Sequence, residues 1–344
     1  MLNSEPLLTP YEYSIFTGVQ FPELEELAEI QEKNRWRENE ISFHDDLRDL
    51  NTFDNYTITA FKKISSFFSV ADGLINKNLL ERFTTEVTDP SARRFYLFQA
   101  AMEDVHARTY GLMLASIVPD LNERDKLLNP HKNSPSILGK IKWIEKWIES
   151  DASFGQRLIG FAIVEGIFFS ASFTLPYWAK KRGKLSGFSK ANEFISKDEG
   201  SHCEFALAMN KYIKDRVSQN VIQQMVREAV HLEHQFIKEM LPNGLPELTQ
   251  KMLCSYVEYI ADDLLMGIAI EGFGNSVTYC SKIYNHSKCP IPWMEKIGLV
   301  SMSSFFEKDS TNYQDKMGRD PATEVFALDL LDDVPTKKRK LIAI

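Results

Sequence analysis

The sequence predicts an all-α fold, and three observations carry that expectation. Glycine and proline are sparse, at 16 and 14 of 344 residues. Apolar residues recur at helical spacing through seven consecutive segments. Nowhere does a strong alternating pattern mark a strand. The protein is 44% hydrophobic and carries 23 Phe and 12 Tyr, ample material for a large core.

Residues 1–50 read as a mixed, partly extended N-terminal arm, because Pro6, Pro10 and Pro22 interrupt any helix there. Residues 51–305 read as one helical domain. Its helices are placed near 54–82, 91–118, 134–149, 152–181, 188–214, 217–241 and 247–285. The breaks between them fall at "TDPSA", "VPDLNE", "NPHKNSP", "KRGKLSG" and "LPNGLP". From 306 to 344 the composition turns polar, which suits a mobile tail.

The fourth of these helices holds the stretch "GFAIVEGIFFSASFTLPYW", Gly160 to Trp178, with Glu165 its one charge. It is long enough to cross a bilayer, and one carboxylate at the centre would cost about 3 kcal/mol, which its apolar neighbours could offset. No second segment is comparably apolar, however. The stretch is therefore read as the buried core helix of a large bundle. A carboxylate buried there needs a compensating partner.

Three Glu–x–x–His pairs occur: Glu103/His106, Glu199/His202 and Glu228/His231. This spacing sets a carboxylate and an imidazole on one helical face, and both are good ligands for iron, manganese or zinc. Helical-wheel position separates the copies. Glu103, His106 and Tyr110 fall on the apolar side of their helix with Phe95, Met113, Leu114 and Ile117, opposite Asp104 and Arg108. Asp198 and His202 fall within the stripe of Phe188, Ala191, Ile195, Ala206, Met209 and Ile213, with Glu199 at its edge. Glu228 and His231 face away from Val221, Met225, Phe236 and Met240, as a solvated face does. Asp72 lies at the edge of the stripe of Phe61, Ile64, Phe68, Ile75 and Leu79. Each acid alone is more simply explained by a nearby cation or helix terminus. Four successive apolar helices, each with an inward acid and two with a paired histidine, instead suggest six ligands for two metal ions in a four-helix core. That is the arrangement of ferritin-like carboxylate proteins.

"MEDVHARTY", "VEGIFFSASF" and "KKRGKLSGFSKANEFISKDEGSHCEFA" resemble the metal-binding helices of the small (beta) subunit of class I ribonucleotide reductase, eukaryotic-type branch. The resemblance covers about residues 25–333. It implies a ferritin-like helical bundle and a homodimer. It also implies a centre of two iron ions, or manganese in their place, that reacts with dioxygen to form a stable tyrosyl radical. The radical would serve a separate large (alpha) subunit that reduces ribonucleotides. By the same resemblance the ligands would be Asp72, Glu103, His106, Glu165, Glu199 and His202. Tyr110 would be the radical site, and Phe169, Phe173 and Ile195 its apolar pocket. Trp36 and Asp198 would relay the radical to the surface. Glu307 and Tyr313 in "FFEKDSTNYQ" would continue it through the tail, and "TEVFALDLLDD" would dock on the large subunit. The sequence runs on past that segment with "VPTKKRKLIAI", whose basic run is read as solvated tail.

A net charge of −8 argues against nonspecific nucleic-acid binding. Four cysteines without a CxxC pair fit a reducing compartment, and "MLNSEPLLTPYEY" has neither a basic nor an apolar leader region. A cytoplasmic protein is expected. Two other classes remain in view: a ferritin-like ligand-binding oxidase or iron store, and an inactive scaffold paralogue. The Tyr110 and tail residues favour the reductase subunit, and the full ligand set argues against the scaffold.

Overall fold

A computed structural model describes residues 5–9, 18–129, 134–148, 150–269 and 280–297. Among the described residues there are helices and irregular connections, with one isolated bridge, between Leu245 and Leu248, and no strand. Eight long helices build the core: α1 (Pro22–Lys33), α2 (Asn55–Asn78), α3 (Pro90–Ile117), α4 (Pro135–Ile148), α5 (Phe154–Lys181), α6 (Ser186–Lys211), α7 (Gln219–Met240) and α8 (Gln250–Ile268). α2 packs along α3, α6 along α5 and against α3, and α7 against α4 and α8.

Sequence sets most helix starts. The carboxylates of Asp54 and Asp89 accept from the backbone N–H of Thr57 (2.7 Å) and Ala92 (2.9 Å), capping α2 and α3. Ser153 caps α5 and Thr249 caps α8 in the same way. α6 begins differently. Leu185 adopts a left-handed conformation (φ 52°), and the buried Asp46 accepts from the backbone N–H of both Gly187 and Phe188. The Ser42 carbonyl oxygen occupies the space that a Cβ on residue 187 would need, so this junction requires glycine.

Two expectations need correction. Pro22 does not interrupt a helix; it is the first residue of α1, where its missing N–H costs nothing. α1 packs on α3 and α6 and buries Leu24, Leu27 and Ala28. The last helix, placed over 247–285, ends at Ile268 among the described residues. The later segment is held instead by buried Asp262, whose carboxylate accepts from the backbone N–H of Ile283, Tyr284 and His286.

α5 is the one described helix long and apolar enough to span a membrane. Its apolar window is 94% buried within the protein, as a core helix is. It is interrupted by a π turn at Val164–Phe168, which contains Glu165. A π turn inserts one extra residue into the helical ladder and is frequent at functional sites.

Candidate metal centre

Four helices meet around one cluster of buried acids and imidazoles. α2 supplies Asp72, α3 supplies Glu103 and His106, the π turn of α5 supplies Glu165, and α6 supplies Glu199 and His202. All six side chains are at most 3% exposed. They form two overlapping groups able to hold an ion: Asp72, Glu103 and His106, and Glu103, Glu165, Glu199 and His202.

Two carboxylates span both imidazoles. Glu103 places one oxygen 3.3 Å from His106 Nδ1 and the other 3.1 Å from His202 Nδ1. Glu199 does the same at 3.2 and 3.0 Å. Each of these two carboxylates thus lies within reach of both imidazoles. Gln99, four residues before Glu103, donates to Glu165 (3.3 Å) and Glu103 (3.4 Å).

The electrostatics are those of a cation site. Burial pushes Asp72 and Glu165 well above the usual carboxylate range, and the neighbouring acids push them further. Burial also disfavours the charged form of Glu199, yet hydrogen bonds from Glu165, His106 and His202 hold it below that range. Burial alone would lower His202, but hydrogen bonds to Glu103 and Glu199 outweigh it and carry His202 up to about 9. His106 is raised in the same manner, by Asp198, Glu103 and Glu199.

Both oxygens of Asp72 and one oxygen of Glu165 have no hydrogen-bond partner, and the remaining oxygens of Glu103 and Glu199 meet His106 Nδ1 at 3.3 and 3.2 Å. Buried polar atoms rarely stay unpaired, so this concentration calls for a ligand. Four carboxylates neutralise two divalent cations, and a set rich in carboxylate oxygen with two imidazoles suits iron or manganese. The residues therefore fit a dimetal site. The third Glu–x–x–His lies apart: Glu228 accepts from Trp143 Nε1, and His231 is exposed beside Gln235.

Behind His106, Asp198 joins two rings. Its Oδ2 lies 3.0 Å from His106 Nε2 and accepts from Trp36 Nε1 at 2.7 Å. Trp36 is 4% exposed and stacks on His106, with ring centroids 5.7 Å apart and planes 19° apart. A hydrogen bond thus joins the second nitrogen of His106 to Asp198. Its Nδ1 remains turned to the acids.

Tyr110 is 2% exposed and its hydroxyl has no hydrogen-bond partner. Burial, then the charges of Asp72, Glu199, Glu103 and Glu165, raise it well above the usual phenol range. Phe169, Phe173 and Ile195 are buried. The ring lying flat on Tyr110 is Phe68, at 4.5 Å and 5°. Phe169 and Phe173 pack against Phe68 in turn, at 5.3 and 5.1 Å. Sequence reasoning places Phe68 in the core stripe and misses this role. Its position one turn before Asp72 is the available signal, as is that of Gln99 one turn before Glu103. Glu307 and Tyr313 lie outside the described residues.

Comparison with known proteins points one way. A family model described as "Ribonucleotide reductase, small chain" matches residues 15–277. The protein is 37% identical to the ribonucleoside-diphosphate reductase small chain of Vaccinia virus (strain Ankara) over 316 residues, 91% of this sequence and 95% of that one. It is 36% identical to a ribonucleoside-diphosphate reductase small chain of Arabidopsis thaliana over 313 residues, 90% of each. It is 37% identical to the small chain of Trypanosoma brucei brucei over 330 residues, 94% of each. In fold, the ribonucleotide reductase Rnr4 homodimer from Saccharomyces cerevisiae superposes with a TM-score of 0.69 at 24% identity, covering 88% of this protein and 92% of that one. The ribonucleotide reductase R2 subunit from Clostridium botulinum gives 0.70 at 21%, covering 81% and 88%.

Proposed function

This protein belongs to the ribonucleotide reductase small-chain family, and from that premise we propose that it is the radical-generating subunit of a ribonucleoside-diphosphate reductase. Asp72, Glu103, His106, Glu165, Glu199 and His202 would hold two metal ions, iron or manganese. Bound there, the ions supply the one-electron oxidising power that dioxygen drives. The observation that carries this reading is the juxtaposition of six inward ligands with a buried, unpartnered tyrosine on the helix of two of them.

Tyr110 is the residue oxidised. It rests as a neutral phenol, because burial and four nearby carboxylates oppose phenolate. Oxidation must remove a proton with the electron. With metal bound Asp72 would be deprotonated, and its charge acts on Tyr110 more strongly than that of the other acids, so it is the group suited to accept that proton. Phe68 then covers the phenoxyl ring with a surface that donates no hydrogen atom and admits no water. Asp198 fixes His106 through Nε2 and keeps Nδ1 turned toward the metals. The same carboxylate ties Trp36 to His106, making a short path by which an electron from outside reaches the site as the oxidising equivalent leaves it.

The oxidising equivalent passes on to a large subunit that carries the nucleotide, by way of Glu307 and Tyr313. The subunit works as a homodimer in the cytoplasm. The test is to load the purified protein anaerobically with iron(II), admit air, and record metal content and the electron paramagnetic resonance spectrum. Two ions per subunit and a stable tyrosyl signal are expected. A protein that binds two ions yet gives no organic radical would favour the ligand-binding oxidase instead.

A further inference from the structure

One buried ion pair lies outside the cluster of ligands. Lys140 of α4 and Glu233 of α7 are both fully buried, with Nζ 2.6 Å from Glu233 Oε2. The ammonium also donates to the backbone carbonyl of Phe168, at 2.7 Å. It lies over the rings of Phe67 and Phe236, 3.4 and 4.2 Å from their centroids. Burying a lysine so completely is expensive, and a plain staple between two helices could be made from apolar residues at no loss. Burial lowers Lys140 to about 8 and raises Glu233 to about 7, each opposed by the partner's charge.

What distinguishes this pair is where the ammonium points. Phe168 ends the π turn that contains Glu165. A π turn shifts the backbone ladder by one residue, and carbonyls at such a shift take partners outside the ladder. Two successive carbonyls here are held by side chains: Ile167 accepts from Ser170 Oγ at 2.7 Å, and Phe168 accepts from Lys140. Ser170 is part of the same helix and moves with it. Lys140 comes from a neighbouring helix and is itself fixed by Glu233 on another. Three helices thus converge on the backbone three residues after Glu165.

We propose that Lys140 and Glu233 are positioning residues that hold the π turn in register and so aim the Glu165 carboxylate at the metal site. The inference rests on Glu165 being a ligand. Their action is mechanical: the pair touches no ligand atom and works through the Phe168 carbonyl. In this it differs from Gln99, which contacts the carboxylate directly.

Manganese(II) alone is the probe, titrated into the metal-free protein and followed by electron paramagnetic resonance, which distinguishes a coupled ion pair from single ions. The double variant Lys140→Met with Glu233→Leu removes both charges and keeps the volume, so the fold should survive. It should bind one of the two ions about tenfold more weakly, the scale of outer-sphere substitutions at metal sites, with an altered pair spectrum. Glu233→Gln keeps an acceptor for the ammonium and should retain the native spectrum. In a Glu165→Ala background the double substitution should have no further effect on manganese affinity, because its influence runs through Glu165. A purely structural pair would lower affinity equally in both backgrounds, and that additivity would overturn the inference. So would native affinity and spectrum in the double variant. Native protein that takes up no manganese pair would count against the metal centre itself, and this inference would fall with it.

Discussion

His106 and Asp198 meet at 3.0 Å, through the imidazole nitrogen that faces away from the ligand cluster. One carboxylate oxygen thereby orients the imidazole and binds Trp36. Asn at 198 keeps an oxygen that both ring N–H groups can reach, but it loses the charge. Asp198→Asn should weaken metal binding by about 10- to 100-fold and still allow the Tyr110 radical at saturating metal, while nucleotide reduction with the large subunit collapses. Trp36→Phe removes the indole N–H and part of the ring stacked on His106, and should leave metal content unchanged with the same loss of turnover. Full turnover in either variant would take this path out of the radical route.

Tyr110 and Phe68 separate radical chemistry from radical shelter. Tyr110→Phe deletes a buried hydroxyl that makes no hydrogen bond, so stability should change by less than about 1 kcal/mol. Metal loading should persist and the stable radical signal vanish. Phe68→Leu removes the stacked ring at a cost of about 1–2 kcal/mol. The radical should then form and decay faster, as read by the half-life of its spectrum at fixed temperature. An unchanged half-life would assign the shelter to other residues.

Much of this cluster is legible in the sequence because its acids and imidazoles obey helical spacing. Glu103/His106 and Glu199/His202 lie one turn apart on or beside apolar faces, and Glu165 interrupts a long apolar run, so these five stand out as inward polar groups; the family resemblance is what proposes them as ligands. Asp72 is also found by its stripe. The rest depends on contacts between distant segments. Lys140 and Glu233 are 93 positions apart and neither stands out in its own helix. The 3.0 Å contact between Asp198 and His106 joins residues 92 positions apart. Pro22 is misread because proline both starts and stops helices, and only the following residues, Glu23 to Lys33, decide which. The π turn has no periodic signature at all: a single extra residue shifts the wheel by about 100°, within the scatter of a sequence-based reading. Periodicity overruns the end of α8 because the described segment beyond it is anchored by Asp262, a tertiary contact.

Acid should drive the metals out. Without metal, burial holds protons on Asp72 and Glu165, and the surrounding acids hold them on His106 and on His202, up to about 9. Metal ions need all four groups deprotonated, so uptake must expel protons. Affinity for manganese(II) should therefore climb as pH rises through the range in which these groups lose their protons, His202 at about 9 among them. Calorimetry in buffers of different ionisation heat should show more than one proton released per pair of ions. Affinity independent of pH between about 6 and 8 would mean the cluster is not where the ions bind.

The segment after Phe306 bears on which partner the radical serves. It lies outside the described residues, and its role is argued from sequence. Val325, Phe326, Leu328, Leu330 and Leu331 form a compact apolar group among Glu324, Asp329, Asp332 and Asp333. Such a group can order against a groove on another protein, at an entropic cost that keeps affinity moderate. Tyr313 falls between this anchor and the helical domain, so docking would bring it near the junction of the two subunits. Truncation after Gly318 should leave metal loading and the Tyr110 radical intact while large-subunit binding and nucleotide reduction are lost. Tyr313→Phe should part the two effects, keeping binding and abolishing turnover, because it removes the redox-active hydroxyl and spares the anchor. Full nucleotide reduction by the truncated protein would show that docking is built from the helical domain instead.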